Sequence, residues 1–236
     1  MMSGYIVLEG GDEFGGKMAE PDRRAIELAG GMDAMISIIP TAAAPDHNHR
    51  RAGMNGVNWF QHLGATDVRS LPLIDKASAN AEEIIVALNQ SRLIYLLGGF
   101  PHHLGQTLLR SKGWDAMRQA YEHGAVLAGS SAGAMVLCQY YFDPQSKKVV
   151  EGLGLIPRAC VLPHHNAFGK NWAAQLTSLL PDTILLGIDE QTGMINDVDT
   201  GQRNTWRAYG KGSITLYRAG STSVYKAGEP FEVLVS

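Results

Sequence analysis

The segment Gly129-Ser130-Ser131-Ala132-Gly133-Ala134 puts a serine at the centre of a G-x-S-x-G pattern. A hydroxyl there can attack a carbonyl carbon if the chain turns sharply from strand into helix at the serine and its neighbours are small enough to permit the turn. Gly129, Ala132, Gly133 and Ala134 meet that steric condition, and the apolar run Ala125–Ala128 supplies the strand. A helix starting behind the serine also aims free N–H groups at the oxygen that gains charge during attack. The same residues suit a plain helix start with Ser130 or Ser131 as N-cap. Ser130, one place off the centre, is the alternative nucleophile.

A serine needs a base, and the base needs a group to orient it. Downstream, the apolar stretch Leu155 to Leu162 runs through Pro163 into His164-His165-Asn166. Histidines at the end of a strand lie where an open α/β sheet gathers its reactive groups, which makes His164 the expected base; a solvated pair in a loop is the plainer reading. For the acid, Asp143 in Tyr140-Tyr141-Phe142-Asp143-Pro144 comes first and Glu151 second, although Asp-Pro also spells an ordinary turn. The order Ser, acid, His is that of the α/β-hydrolases. Only 33 positions (164 − 131) separate Ser131 from His164, however, too few for the strands and helices which that fold places between them. The pattern points to the same chemistry on a different fold.

The elements that position these residues alternate. Strand-like runs cover Tyr5–Leu8, Ala34–Ile39, Val68–Leu73, Leu93–Leu97 and Ala125–Ala128. Helix-like segments cover Arg23–Leu28, Asn58–Leu63, Ala81–Asn89, Leu104–Arg110, Trp114–His123 and Ala132–Gln139. Continuous apolar strands separated by helices predict a parallel sheet covered on both faces. Toward the C-terminus, Ser213–Arg218 and Phe231–Val235, set off by glycine-rich turns, read as short antiparallel strands. The segment Pro45–Gly56, with His47, His49, Arg50 and Arg51, reads as a solvated loop, with lining of the site as the alternative.

The 236 residues suit a single domain, 1–236. With 45% apolar and 18% charged residues, a net charge of −3 and a pI near 6.2, the composition calls for neither a nucleic acid nor a membrane as partner. Cys138 and Cys160 sit in apolar surroundings and read as buried free thiols. No signal peptide or membrane-length apolar run is visible, so the expected location is cytoplasmic. Three motifs are set aside. Gly10-Gly11-Asp12-Glu13-Phe14 spells a diguanylate cyclase signature but lies directly after the first strand. Gly11 to Lys17 fits G-x-x-x-x-G-K but continues with Met18, which offers no hydroxyl for Mg²⁺. The histidine pairs, including His102-His103, lack a zinc-binding spacing, and no metal or cofactor is expected.

Taken together, the sequence resembles the serine peptidase family that contains dipeptidase E and cyanophycinase. The matching pieces are Gly10-Gly11, Ile39-Pro40-Thr41-Ala42, Tyr95-Leu96-Leu97-Gly98-Gly99, Gly129 to Ala134, Gly152-Leu153-Gly154-Leu155-Ile156-Pro157, Pro163-His164 and Gly187-Ile188-Asp189-Glu190. The resemblance implies a three-layer α/β/α sandwich with a mostly parallel sheet, like that of class I glutamine amidotransferases. It places the nucleophile on Ser131 and the base on His164, and it favours Asp143 over Glu151 as the acid. It also implies an oxyanion hole from the N–H groups of Gly99 and Ala132, with Phe100 and His165 near the substrate. The expected activity is hydrolysis of small peptides, and a homodimer is one assembly to look for. Cyanophycinases follow this histidine with arginines that hold an arginine-bearing polymer, whereas residues 165–171 here contain none, which argues against that substrate. An amidase or esterase with the same triad, or a non-catalytic binding module, are the alternatives.

Overall fold

The computed structural model describes residues 3–198, 204–218 and 220–233. The first half runs β1 (Ile6–Glu9), α1 (Ala19–Leu28), β2 (Ile36–Ile39), α2 (His49–His62), β3 (Val68–Ser70), α3 (Glu82–Gln90), β4 (Leu93–Leu96), α4 (Pro101–Leu108), α5 (Lys112–Glu122), β5 (Val126–Ser130) and α6 (Ala132–Leu137). The second half runs β6 (Cys138–Asp143), β7 (Lys148–Glu151), β8 (Ile156–Leu162), α7 (Ala173–Leu179), β9 (Ile184–Ile188), β10 (Thr192–Ile195), β11 (Thr205–Gly210), β12 (Ser213–Arg218), β13 (Ser221–Lys226) and β14 (Pro230–Glu232).

Eight strands form the main sheet in the order β14-β11-β10-β1-β5-β4-β2-β3. The five from β1 to β3 are parallel, and β10, β11 and β14 continue the sheet antiparallel. Alternation along each strand divides the sheet into two buried faces. Val7, Ile36, Ile38, Tyr95 and Val126 pack against Ile26 of α1 and Phe60 of α2. Ile6, Leu8, Ile94, Leu96 and Leu127 face Leu88 of α3, Leu104 of α4, Met117 of α5 and Val136 of α6. The expected α/β/α layering on a largely parallel sheet is therefore present.

A second sheet, β13-β12-β9-β8-β6-β7, was not anticipated. Its residues Ala159, Val161, Ile214 and Leu216 belong to the same buried cluster as Leu8 and Leu96, so the two sheets share a core. The helix expected over Ala132–Gln139 ends at Leu137, and Cys138 opens β6. The strand expected over Val68–Leu73 stops at Ser70. The expected strand Phe231–Val235 is found as Pro230–Glu232, and residues 234 and 235 lie outside the described residues. The segment read as a solvated loop is helical from His49 onward. Its glycines permit close packing: a Cβ on Gly53 would lie 2.1 Å from Ser70 Oγ, so a larger residue there would require Ser70 to move. Cys138 and Cys160 are buried and free. Among the described residues, no helix is long and apolar enough to cross a membrane.

One polar group lies deep in this fold. Glu9, at the end of β1, and Asp22 of α1 are both fully buried. The Tyr95 hydroxyl donates to Glu9, and Trp59 Nε1 donates to Asp22 at 2.7 Å. Burial, reinforced by the neighbouring Asp22, pushes the Glu9 carboxyl well above its ordinary range, and burial pushes Asp22 up to about 7. A carboxyl raised by folding favours the folded state below its ordinary pKa near 4, and that contribution is lost as the pH rises through about 7. Asp22→Asn keeps an acceptor for Trp59 and cannot ionise. It is predicted to raise the melting temperature at pH 8, with the gain vanishing toward pH 4; an equal gain at both pH values would contradict the assignment.

Candidate active site

The site forms where the carboxyl ends of β1, β4 and β5 in the first sheet meet those of β8 and β9 in the second. Ser131 follows β5 with φ 48° and ψ −110°, a left-handed conformation that costs a non-glycine residue about 1–3 kcal/mol. Its own N–H donates to the Glu9 carbonyl at 3.0 Å, which ties the elbow to β1. The turn is sterically tight. A Cβ on Gly133 would stand 2.2 Å from the Leu96 carbonyl oxygen, so α6 can start here only with glycine at its second residue.

His164 follows β8 and is also left-handed, with φ 47°; its N–H donates to the Gly10 carbonyl at 2.7 Å. This geometry turns the imidazole toward the elbow, where Nε2 lies 3.1 Å from Ser131 Oγ. The other nitrogen, Nδ1, lies 2.8 Å from Glu190 Oε1. With the Glu190 oxygen as acceptor, the tautomer that carries its proton on Nδ1 leaves the Nε2 lone pair directed at the serine hydroxyl. The ring is held on its faces as well. Phe168 stacks on it with centroids 4.9 Å apart. Gly11 lies so close that a Cβ there would come within 2.3 Å of His164 Cε1.

Glu190 takes its place through strand register. β8 and β9 run parallel with Leu162 opposite Gly187, so His164-His165 and Asp189-Glu190 leave neighbouring strand ends side by side. The Glu190 N–H donates to Asn166 Oδ1 at 2.9 Å, linking the two ends. A second pair lies beneath the first. His165 Nδ1 is 3.3 Å from Asp189 Oδ1, and its Nε2 is 2.8 Å from the Tyr217 hydroxyl. Asp189 also accepts from the Ser213 N–H and hydroxyl, each at 2.9 Å. Burial alone raises the Asp189 carboxyl, but the hydrogen bonds from His165 and Ser213 outweigh it and hold the group below the ordinary carboxylate value.

With this geometry in place, relatives can be compared. Residues 6–201 match the model of Peptidase family S51. The chain belongs to that family. It is 32% identical over 205 residues to a cyanophycinase of Synechococcus elongatus, an alignment covering 80% of this chain and 60% of the relative. A cyanophycinase of Geminocystis herdmanii is 29% identical over 231 residues, covering 92% of this chain and 80% of the relative. The chain thus spans less than two thirds of the first relative's length. Among solved structures, a peptidase from an acI-B1 actinobacterium superposes with a TM-score of 0.86 at 30% identity, covering 98% of this chain and 97% of the other. A peptidase E-like protein of Listeria monocytogenes EGD-e shares the fold, with a TM-score of 0.61 at 16% identity over 96% of this chain and 100% of the other.

In this S51 chain, two of the residues expected at the site are brought together and others are not. Ser131 and His164 meet. Asp143 does not reach His164: its carboxylate accepts from the Gln145 N–H at 3.3 Å and from the Ser146 N–H and hydroxyl at 3.0 and 2.5 Å, as an Asp-Pro turn does. Glu151 ends β7 at an exposed position opposite Tyr140. The carboxylate beside the imidazole is Glu190, which in the sequence stands out only as the end of the segment Gly187-Ile188-Asp189-Glu190. The available signal was the pairing of two strand ends, one closing in His-His and the other in Asp-Glu.

His165, expected near the substrate, is instead buried in the network with Asp189 and Tyr217. Phe100 lines a cleft of about 380 Å³ together with Asp12, Glu13, Asp46, Asn48, Asn55 and Gly99. In the turn after β4, the Gly98 and Phe100 N–H groups are engaged by Glu13 and by the Ala42 carbonyl, whereas the Gly99 N–H has no acceptor among the described residues. Ala132 is the first residue of α6, where N–H groups lack partners within the helix. Ser130, the alternative nucleophile, is fully buried and donates its hydroxyl to Glu13 Oε2 at 2.6 Å. No cluster of potential metal ligands occurs among the described residues.

The contact between Gly11 and the imidazole can be tested directly. Gly11→Ala is predicted to push His164 away from Ser131 and to lower turnover by about 10², the penalty typical of an ångström-scale misplacement. A crystal structure of the variant together with its rate checks this; an unmoved ring with unchanged turnover would contradict it.

Proposed function

We propose that this protein is a serine peptidase acting on short peptides, with Ser131 as nucleophile, His164 as general base and acid, and Glu190 as the carboxylate that orients the imidazole. The observation that carries the reading is the unbroken line from Ser131 Oγ through His164 to Glu190, with contacts of 3.1 and 2.8 Å. Ser131 Oγ attacks the scissile carbonyl carbon while its proton passes to His164 Nε2. Glu190 stabilises the imidazolium through the Nδ1 proton. The N–H groups of Gly99 and Ala132 receive the oxyanion, as the resemblance implies. The amine leaves with the proton from Nε2, and water then hydrolyses the acyl-serine by the reverse proton path.

The cleft next to the Gly98–Gly99 turn supports the choice of substrate class. About 380 Å³ suits a ligand of a few residues rather than a folded protein. After His164, the chain offers Phe168 stacked on the imidazole and carries no arginine in residues 165–171. Short peptides, rather than an arginine-bearing polymer, are the class we assign.

A dipeptide library screened by release of free amine tests the proposal. Ser131→Ala and His164→Ala are predicted to abolish release without unfolding the chain. Glu190→Gln should lower kcat by about 10³–10⁴, as expected when the orienting carboxylate is neutralised. Asp143→Asn should remain within a few-fold of the parent. Loss of activity in Asp143→Asn with activity retained in Glu190→Gln would refute the assignment of the acid.

A further inference from the structure

The motif Gly10-Gly11-Asp12-Glu13, set aside as a signalling signature, forms one wall of the active site. Glu13 Oε2 accepts the Ser130 hydroxyl at 2.6 Å, and Oε1 accepts the Gly98 N–H at 3.2 Å. Ser130 immediately precedes the proposed nucleophile, and Gly98 immediately precedes the proposed oxyanion donor Gly99. The packing is close: a Cβ on Gly98 would lie 3.1 Å from Glu13 Oε1 and 3.3 Å from Ser131 Cβ. We infer that Glu13 is a positioning residue, whose carboxylate clamps the Gly98–Gly99 turn to the nucleophile elbow and so fixes the oxyanion donors relative to Ser131. The inference rests on the hydrolase reading above.

The surroundings favour a geometric role over a chemical one. The Ser131 hydroxyl already faces His164, so Glu13 is not needed as a base. Negative charge beside a developing oxyanion opposes it, so the contribution of Glu13 lies in where its oxygens sit. The loop is built to hold that position. Asp12 and Phe14, on either side of Glu13, are non-glycine residues with φ of 58° and 66°. Asp12 Oδ2 accepts from Gln191 Nε2 at 2.6 Å, one residue beyond Glu190. The Phe14 ring packs 5.8 Å from Tyr95 and 6.5 Å from Trp59. Strained backbone fixed from both sides marks a position held for function.

Hydrolysis of p-nitrophenyl acetate separates positioning from charge. Glu13→Ala is predicted to lower kcat about 10- to 100-fold with KM within about threefold. Glu13→Gln can accept from Gly98 and donate to the Ser130 hydroxyl, and should restore kcat to within about threefold of the parent. Ser130→Ala should show a smaller loss, and Glu13→Ala/Ser130→Ala should be no worse than Glu13→Ala, because the two share one clamp. Exchange of the Gly98 amide hydrogen should accelerate in Glu13→Ala and not in Glu13→Gln. If Glu13→Ala fails to fold, Glu13→Gln and Ser130→Ala carry the comparison. Glu13→Gln as impaired as Glu13→Ala would show that the charge is required and would overturn the inference, as would an effect confined to KM or an unchanged Glu13→Ala. A parent protein no faster than Ser131→Ala would remove the hydrolase reading and this role together, an outcome recognisable because it does not depend on residue 13.

Discussion

Everything at this site depends on a single imidazole having two different neighbours. In the proposed mechanism Nε2 of His164 takes a proton from Ser131 only if Nδ1 already holds one, and an acceptor, Glu190 Oε1, lies 2.8 Å from Nδ1 to favour that tautomer. The ring has to lie in one plane at one depth for both contacts to form. Gly11 and Phe168 both pack against it, and the left-handed backbone at His164 turns it toward the elbow. Two non-glycine residues with positive φ, Ser131 and His164, face each other across 3.1 Å. The strain is maintained by backbone hydrogen bonds from each to β1 or the residue after it, at the Glu9 and Gly10 carbonyls. The end of β1 is therefore the common anchor of Ser131 and His164, the proposed nucleophile and base.

The fold explains why such distant residues converge. Parallel strands place their carboxyl ends along one edge, and hydrogen bonds from Ser131 to the Glu9 carbonyl and from His164 to the Gly10 carbonyl bring the ends of β5 and β8 to the end of β1. The second sheet supplies both the histidine and the carboxylate beside it from adjacent strands in register. Beneath them, His165 and Asp189 form a second, buried pair tied to Tyr217 and Ser213, which fixes the register of the strand ends above.

Much of this was legible in the sequence. The elbow announces itself through small residues around Ser131, and the strand ending at His164 through its apolar run. The parallel half of the main sheet follows from alternating apolar strands and helices. The carboxylate that contacts His164 was not legible, because its identity depends on which strand lies beside β8. β6 and β9 flank it on either side, and sequence order favours the nearer Asp143, whereas the geometry selects Glu190. The start of α2 was hidden because the charged and polar run through His47, His49, Arg50 and Arg51 reads as solvated, although Gly53 and Gly56 pack this part of the helix closely. The second sheet is hard to read in the sequence because β7 and β13 are exposed or half-exposed, and because the first residues of β6 continue the small apolar run read as a helix over Ala132–Gln139. Glu13 was obscured by a motif with a familiar but unrelated meaning.

The central claim is that Ser131 is a nucleophile activated by the His164–Glu190 pair. Treatment with a fluorophosphonate, followed by peptide mapping of the adduct, tests it most directly, because the reagent reports activation without requiring the natural substrate. The account predicts a single adduct on Ser131, absent in His164→Ala and slowed in Glu190→Gln. An adduct on Ser130 or elsewhere, or labelling of Ser131 that persists unchanged without His164, would contradict it.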